Sequence, residues 1–188
     1  MTLATTKNKF TPEEFERLPD AVDYELVDGN LVERHMGSES SAIAAKIAYL
    51  LLTFVQPRRH GHVFTTDCGY QCFPDDPSKV RKPDVSFVAR GRLPNDQPPK
   101  GYIRLAPDLV VEVLSPGDLA SVMEDKVKDY LAAGVKLIWV VSPTAKTVRV
   151  HGPGAQPGRT DPFSESDTLT GGTVLSGFEC RVAEFFQS

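Results

Sequence analysis

The sequence predicts a mixed α+β or α/β fold in which a β-sheet is flanked by helices. The run 109–114 is almost continuously apolar, which is typical of a central strand buried on both faces. A second apolar run over 135–141 follows after a helical pattern over 118–133, so a helix separates two buried strands. This order of elements favours a sheet with helices packed on it.

The first third of the chain predicts two helices around a β-hairpin. Thr11, Pro12 and Glu14 have the spacing of a capping box with proline at the first helical position. The pair Asp28-Gly29 is a hairpin turn signal, and Pro57 interrupts a later run of apolar residues at helical spacing. The predicted elements are a short helix from 11 to about 18, strands over 23–27 and 30–34, and a long helix over 38–54.

The rest of the chain predicts the sheet and a final hairpin. Gly134 suits the end of the 118–133 helix, and Gly171-Gly172 suits a tight turn. We find no linker long enough to divide the chain, so a single domain over 1–188 is expected, with a flexible start over 1–9. The other predicted elements are one or two strands over 62–73, a strand over 84–88, loops over 90–101 and 152–162, a strand over 147–151 and a hairpin over 168–175.

Composition excludes several classes of protein. The 188 residues are 40% hydrophobic and 24% charged, which excludes a wholly disordered chain, a collagen or a coiled coil. With no run of 18 apolar residues and a polar start, we expect no membrane span, no secretory signal and a cytoplasmic location. Three cysteines (Cys68, Cys72 and Cys180) fit reduced thiols.

The charge pattern leaves the question of a nucleic-acid partner open. The net charge of −4 gives no basic signature, but bound cations can neutralise a substrate phosphate. Acidic residues dominate 13–39 and basic residues dominate 79–104. These segments are either solvated faces or, for the basic one, a rim around a polyanion.

Glu112 is the most informative residue, because a carboxylate within an apolar strand loses its hydration. It needs a basic partner, a proton or a metal ion, unless it lies at a strand end or on a solvent-facing edge. Asp84 opens another strand after Pro83, either as a turn residue or as a second carboxylate beside Glu112. Two hard oxygen ligands would suit Mg²⁺ or Mn²⁺ rather than zinc.

Two other residues are candidates for the same site. Lys126 and Tyr130 are four residues apart and share a helix face, so the ammonium could pair with Glu112, reach a phosphate or be solvated. Glu25 lies in a short strand, where an exposed hairpin position is the default interpretation.

A zinc site is the competing possibility, with His60, His62, Cys68 and Cys72 as ligands. However, Cys68 and Cys72 share one strand face and lack a tight Cys-x-x-Cys knuckle, which favours ordinary packing.

In order and spacing, four segments resemble the Uma-type restriction endonuclease family of the PD-(D/E)XK nuclease superfamily. The segments are 24–29, 81–88, 107–116 and 126–141. The resemblance covers about 10–186 and implies a restriction-endonuclease-like core of a helix, three mixed strands, a helix and a strand. The chain departs from the family at Ser40, where a histidine is common, and at Ser142, where an aspartate is usual.

The resemblance implies a metal-dependent DNA endonuclease, a hydrolase acting on ester bonds. Asp84, Glu112 and the Val113 carbonyl would hold Mg²⁺ or Mn²⁺, and Glu25 would be an additional acid near the metal. Lys126 would act as the lysine of the motif, because Leu114 occupies that lysine's usual position. Basic residues such as Lys79, Arg81 and Arg90 would position the DNA backbone.

Two alternatives to an active nuclease remain open. The fold could serve as a catalytically silent nucleic-acid-binding or regulatory module, or Glu112 and Lys126 could form only a buried ion pair. Cutting both strands of a duplex favours a homodimer. Four C-terminal apolar residues are candidates either for that contact or for the core: Leu175, Phe178, Phe185 and Phe186.

Overall fold

The computed structural model describes residues 9–35, 37–155 and 161–187. Its helices are α1 (Pro12–Glu16), α2 (Ser38–Arg58) and α3 (Ala120–Ala132). Its strands are β1 (Tyr24–Val27), β2 (Asn30–Glu33), β3 (Gly61–Thr65), β4 (Val85–Ala89), β5 (Leu109–Val113), β6 (Leu137–Ser142), β7 (Thr147–His151), β8 (Phe163–Ser164), β9 (Thr168–Gly171) and β10 (Leu175–Arg181). The predicted flexible start and the 152–162 loop lie partly outside the described residues, at 1–8 and 156–160.

A six-stranded mixed sheet forms the centre of the fold, in the order β3-β4-β5-β6-β7-β8. Strand β5 runs parallel to β6, and the other neighbouring strands are antiparallel. All five residues of β5 are buried, and Val111 lies between Val85 of β4 and Trp139 of β6. The predicted central strand is therefore confirmed.

The two long helices cover opposite faces of this sheet. Ile47 and Leu51 of α2 pack with Val111 and Trp139 on one face. Tyr130 of α3 packs with Val110 on the other face. Because side chains alternate along a strand, Glu112 points to the same side as Val110, towards α3. The predicted sheet flanked by helices is confirmed, and its register places Glu112 beneath α3.

The C-terminal apolar residues belong to the core beneath α2. Leu175, Phe178 and Phe185 are buried there, and Phe186 packs against them. Strands β9 and β10 form the predicted last hairpin, which brings these residues to the sheet. Of the two roles considered for these residues, a homodimer contact or the core of the chain, the structure therefore shows the core.

Helix α2 is longer than predicted, because Pro57 does not end it. A proline within a helix removes one hydrogen bond and crowds the carbonyl four residues earlier, but Pro57 lies in the last turn, so only that turn of α2 is affected. The helix ends where Arg59 takes a φ of 52°. By length and composition α2 could cross a membrane, but its residues Ile43, Ile47 and Leu51 are buried as in a core helix.

The N-terminal elements follow their local signals. The Thr11 hydroxyl accepts a hydrogen bond from the Glu14 amide at 3.3 Å, and the Glu14 carboxylate accepts one from the Thr11 amide at 2.9 Å. Strands β1 and β2 pair as the predicted hairpin. Over 62–73 only β3 is regular, because Tyr70 makes isolated bridges to Arg81 and Ile103 instead of joining a strand. A further isolated bridge, between Leu26 of β1 and Val80, connects the hairpin to the segment that precedes β4.

Candidate active site

The four predicted site residues lie together at the carboxyl end of β5. Strand β1 carries Glu25, Asp84 directly precedes β4, β5 carries Glu112, and α3 carries Lys126. All four line one cavity of about 200 Å³. Sequence reasoning therefore identified a set of residues that the fold brings together from four separate elements.

Asp84 is fixed by the backbone of the neighbouring strand. Its Oδ2 accepts a hydrogen bond from the Val113 amide at 2.7 Å, and its Oδ1 lies 3.4 Å from the Arg34 guanidinium. Burial, and then the nearby Glu112 carboxylate, raise the pKa of Asp84 to about 7. The carboxyl group is thus held in a place where a negative charge is poorly compensated.

Glu112 is buried and has a partner on each carboxylate oxygen. The Tyr130 hydroxyl donates to Oε1 at 2.6 Å, and the Lys126 ammonium donates to Oε2 at 3.2 Å. Glu112 is only 3% exposed, so the interpretation of a solvent-facing edge is wrong. Burial and then Glu112 raise the pKa of Tyr130 well above its usual value, so this hydroxyl remains a donor.

Lys126 lies between two acids and not in solvent. Its Nζ is 3.2 Å from Glu112 Oε2 and 3.4 Å from Glu25 Oε1. Burial alone would lower the pKa of Lys126, but Glu112 and Glu25 outweigh it and raise the pKa above its usual range. Lys126 is consequently a permanent cation within the cavity and cannot accept a proton there.

Glu25 is anchored on both sides and does not point to open solvent. Its Oε2 accepts a hydrogen bond from Arg81 at 2.8 Å, and its Oε1 accepts one from the Lys82 amide at 2.9 Å. Burial opposes its ionisation, but Lys126 and Arg81 together hold the pKa of Glu25 below its usual range. Because Glu25 Oε1 also lies 3.4 Å from Lys126 Nζ, Glu25 is placed to orient the Lys126 ammonium.

Arg81 and Asp129 complete the network, and sequence reasoning missed their connection. Arg81 donates to Asp129 Oδ2 at 2.7 Å as well as to Glu25, and Lys79 donates to Asp129 Oδ1 at 2.7 Å. Arg81 and Lys79 are both buried, so the predicted basic rim is wrong for them. The one signal available was Asp129 itself, an acid one residue before Tyr130 on the helix that carries Lys126.

The donor set fits a hard divalent cation. Asp84 and Glu112 supply carboxylate oxygens in one cavity, and their mutual repulsion would be relieved by a positive ion. Mg²⁺ is usually held by one or two carboxylates together with waters and substrate phosphates, so two protein carboxylates suffice. Across the described ranges, no cluster of three or more His, Cys, Asp or Glu residues is arranged for a metal.

The competing zinc site is not formed. Cys68 and Cys72 pack beside the buried Tyr70 in a small apolar cluster, so the predicted ordinary packing is confirmed, but these residues do not form the predicted strand. Burial raises the pKa of these thiols to about 11 and about 12, which disfavours the thiolates that zinc requires.

The pKa of Asp84 predicts a pH-dependent stability. The native state keeps this proton up to about pH 7, whereas the unfolded chain releases it near its ordinary value of 3.8. Between these values the native state binds more protons, so the free energy of unfolding falls as the pH rises, by up to about 1.4 kcal/mol per pH unit. Asp84→Asn should remove this slope. Urea unfolding of both proteins from pH 4 to 8 in EDTA tests this difference. If the free energy of unfolding depends on pH in the same way in the wild type and in Asp84→Asn, the raised pKa assigned to Asp84 is wrong.

Tyr130→Phe should weaken divalent-cation binding about 10-fold, because the group that orients a ligand is lost. Tyr70→Phe is the matched control, since the Tyr70 hydroxyl is also fully buried and bonds Ser86 Oγ at 2.7 Å. Both variants should lose about 1 kcal/mol of stability. Mn²⁺ titration calorimetry separates them, and equal cation affinities in the two variants would show that Tyr130 is only a packing residue.

Comparison with known proteins agrees with this arrangement. A sequence model of the family Uma2, described as "Putative restriction endonuclease", matches residues 12–183. A crystal structure of a putative nuclease belonging to DUF820, from Anabaena variabilis, is similar with a TM-score of 0.74 and 22% identity. That similarity covers 94% of this chain and 97% of the other, and it shows a shared fold. No curated protein matches the chain.

Proposed function

The chain belongs to the Uma2 family of putative restriction endonucleases, and from this we propose that it hydrolyses phosphodiester bonds of DNA with the help of Mg²⁺ or Mn²⁺. The observation that carries the proposal is the buried pair Asp84 and Glu112 in one cavity with Lys126. A protein that needs only an apolar core has no use for two buried acids, since each loses its hydration.

The ion would be held by Asp84, Glu112 and the Val113 carbonyl. When bound, it would polarise the phosphoryl oxygen and lower the pKa of a coordinated water. The Val113 amide and the Tyr130 hydroxyl donate to the two carboxylates and hold them in fixed orientations. The ligands are therefore oriented before substrate arrives.

Lys126 supplies positive charge to the reacting phosphate. Because its pKa is raised, it keeps its proton and acts by electrostatic stabilisation of the developing negative charge, not as a general base. Glu25 keeps the Lys126 ammonium in the cavity through their 3.4 Å contact. Substrate phosphate would compete with Glu112 and Glu25 for this ammonium.

The charge of the chain favours one alternative function, a silent nucleic-acid-binding or regulatory module. The net charge is −4, and Lys79 and Arg81 are turned into the interior. Such a module would keep the cavity without turnover. The predicted homodimer would provide two cavities, and the oligomeric state is measured separately by analytical ultracentrifugation.

Calorimetric titration of Mn²⁺ into the wild type and into Asp84→Asn tests the proposal. We expect cation binding in the wild type and none in the variant, followed by Mg²⁺-dependent cleavage of DNA in the wild type alone. The titration is repeated with DNA present, because substrate phosphate supplies further ligands. Absence of binding in both folded proteins, with and without DNA, would favour the silent module.

A further inference from the structure

We propose that this cavity takes an unpaired polynucleotide strand and not a continuous duplex, an inference that rests on the proposed function. It is carried by the depth of the carboxylates, by an apolar edge of the cavity formed by Leu119 and Val122, and by the charges of the lining residues.

The carboxylates lie below the protein surface. Glu25, Asp84 and Glu112 are 1%, 6% and 3% exposed, in a cavity of only about 200 Å³. A phosphate must therefore enter this small cavity to approach the carboxylates. A duplex resists sharp local bending, with a persistence length of about 150 base pairs, whereas an unpaired strand turns at single bonds. The low exposure of the three carboxylates therefore favours a flexible unpaired strand as the substrate.

The apolar edge gives bases a surface to pack on. Leu119 is 66% exposed and Val122 is 44% exposed, although both are apolar and both line the cavity. They lie where α3 begins, next to Lys126 on the same helix. An unpaired strand offers the faces of its bases to such a surface, while a duplex stacks its bases inside and presents phosphates. The edge is therefore suited to the contacts that only an unpaired strand makes.

The charges of the lining also disfavour a duplex. Five acids line the cavity: Glu25, Glu33, Asp84, Glu112 and Asp118. The two permanent cations among the described lining residues, Arg34 and Lys126, already pair with carboxylates. Duplex binding depends on free lysine and arginine side chains that neutralise dense phosphates. A single strand has fewer phosphates per unit length and gains affinity from base packing, so it tolerates this lining better.

The test compares one labelled oligonucleotide, single-stranded or annealed to its complement, with Mn²⁺ present. The wild type should cleave the single strand at least about 10-fold more efficiently in kcat/KM. Val122→Ser should raise KM for the single strand about 5-fold with kcat kept, since the contact is with bound substrate. Leu131→Ser is the matched control, because Leu131 is 40% exposed on the same helix but does not line the cavity.

Binding is measured separately by fluorescence anisotropy of the same oligonucleotides in Ca²⁺. Equal or better cleavage of the duplex, or equal behaviour of Val122→Ser and Leu131→Ser, overturns the inference while leaving the nuclease proposal intact. If no DNA is cleaved, the nuclease proposal fails, and anisotropy still decides whether an unpaired strand is the preferred ligand. If neither form binds, both proposals fail.

Discussion

Glu112→Gln should abolish divalent-cation binding and lower the nuclease activity at least about 100-fold, while the chain remains folded. The amide has nearly the same shape as the carboxylate, and its carbonyl oxygen can still accept a hydrogen bond from Tyr130 or Lys126. What is lost is the negative charge that would hold the cation. An ion that polarises a phosphoryl oxygen lowers the activation barrier by several kcal/mol. A loss of about 2.7 kcal/mol of this stabilisation already slows the reaction about 100-fold.

Mn²⁺ titration calorimetry and DNA cleavage measure the two losses, and circular dichroism checks the fold. Glu179→Gln is the matched control, since Glu179 is an exposed acid on β10. If Glu112→Gln keeps the wild-type affinity for Mn²⁺, Glu112 serves only as the partner of Lys126. In that case the paired change of Glu112 and Lys126 to methionine should be neutral or stabilising, as for other buried ion pairs.

The central part of this site could be predicted from the sequence because Glu112 is a conspicuous exception to the apolar pattern of its strand. A charged residue in the middle of 109–114 contradicts the apolar pattern of a central strand, and the structure gives Glu112 two polar partners. The helical spacing then placed Lys126 and Tyr130 on a common face. The alternation along the strand and the helical spacing together indicated that the site lies on the face of the sheet covered by α3.

The outer part of the site could not be predicted, because it depends on contacts between distant segments. Arg81 lies 48 residues from Asp129 and 56 from Glu25, and nothing in the local pattern indicates either contact. A cluster of basic residues in a sequence is usually solvated, so a solvated face was the ordinary interpretation and a basic rim was the alternative. The fold instead turns Lys79 and Arg81 inward to balance the acids of β1 and α3.

Arg81→Met should be the most destabilising single change at this site, with a loss of about 3 kcal/mol in the free energy of unfolding. Burial opposes the charge on Arg81, but Glu25 and Asp129 outweigh it and raise its pKa above the usual range. Removing one partner of a buried pair leaves the other charge without compensation, which costs about 3–5 kcal/mol. We expect the lower end of this range, because Glu25 still pairs with Lys126 and Asp129 still pairs with Lys79.

Urea unfolding at pH 7 measures this loss, with Arg90→Met as the control. Arg90 is 57% exposed and pairs with Asp96, so its replacement should cost less than about 1 kcal/mol. Arg81→Lys keeps the charge but loses the planar guanidinium that bonds Glu25 and Asp129 through separate nitrogens, and its stability should fall between those of the other two variants. If Arg81→Met is no less stable than Arg90→Met, the buried acids are compensated by Lys126 and Lys79 alone. The fixed position of Glu25, and with it that of Lys126, would then not depend on Arg81.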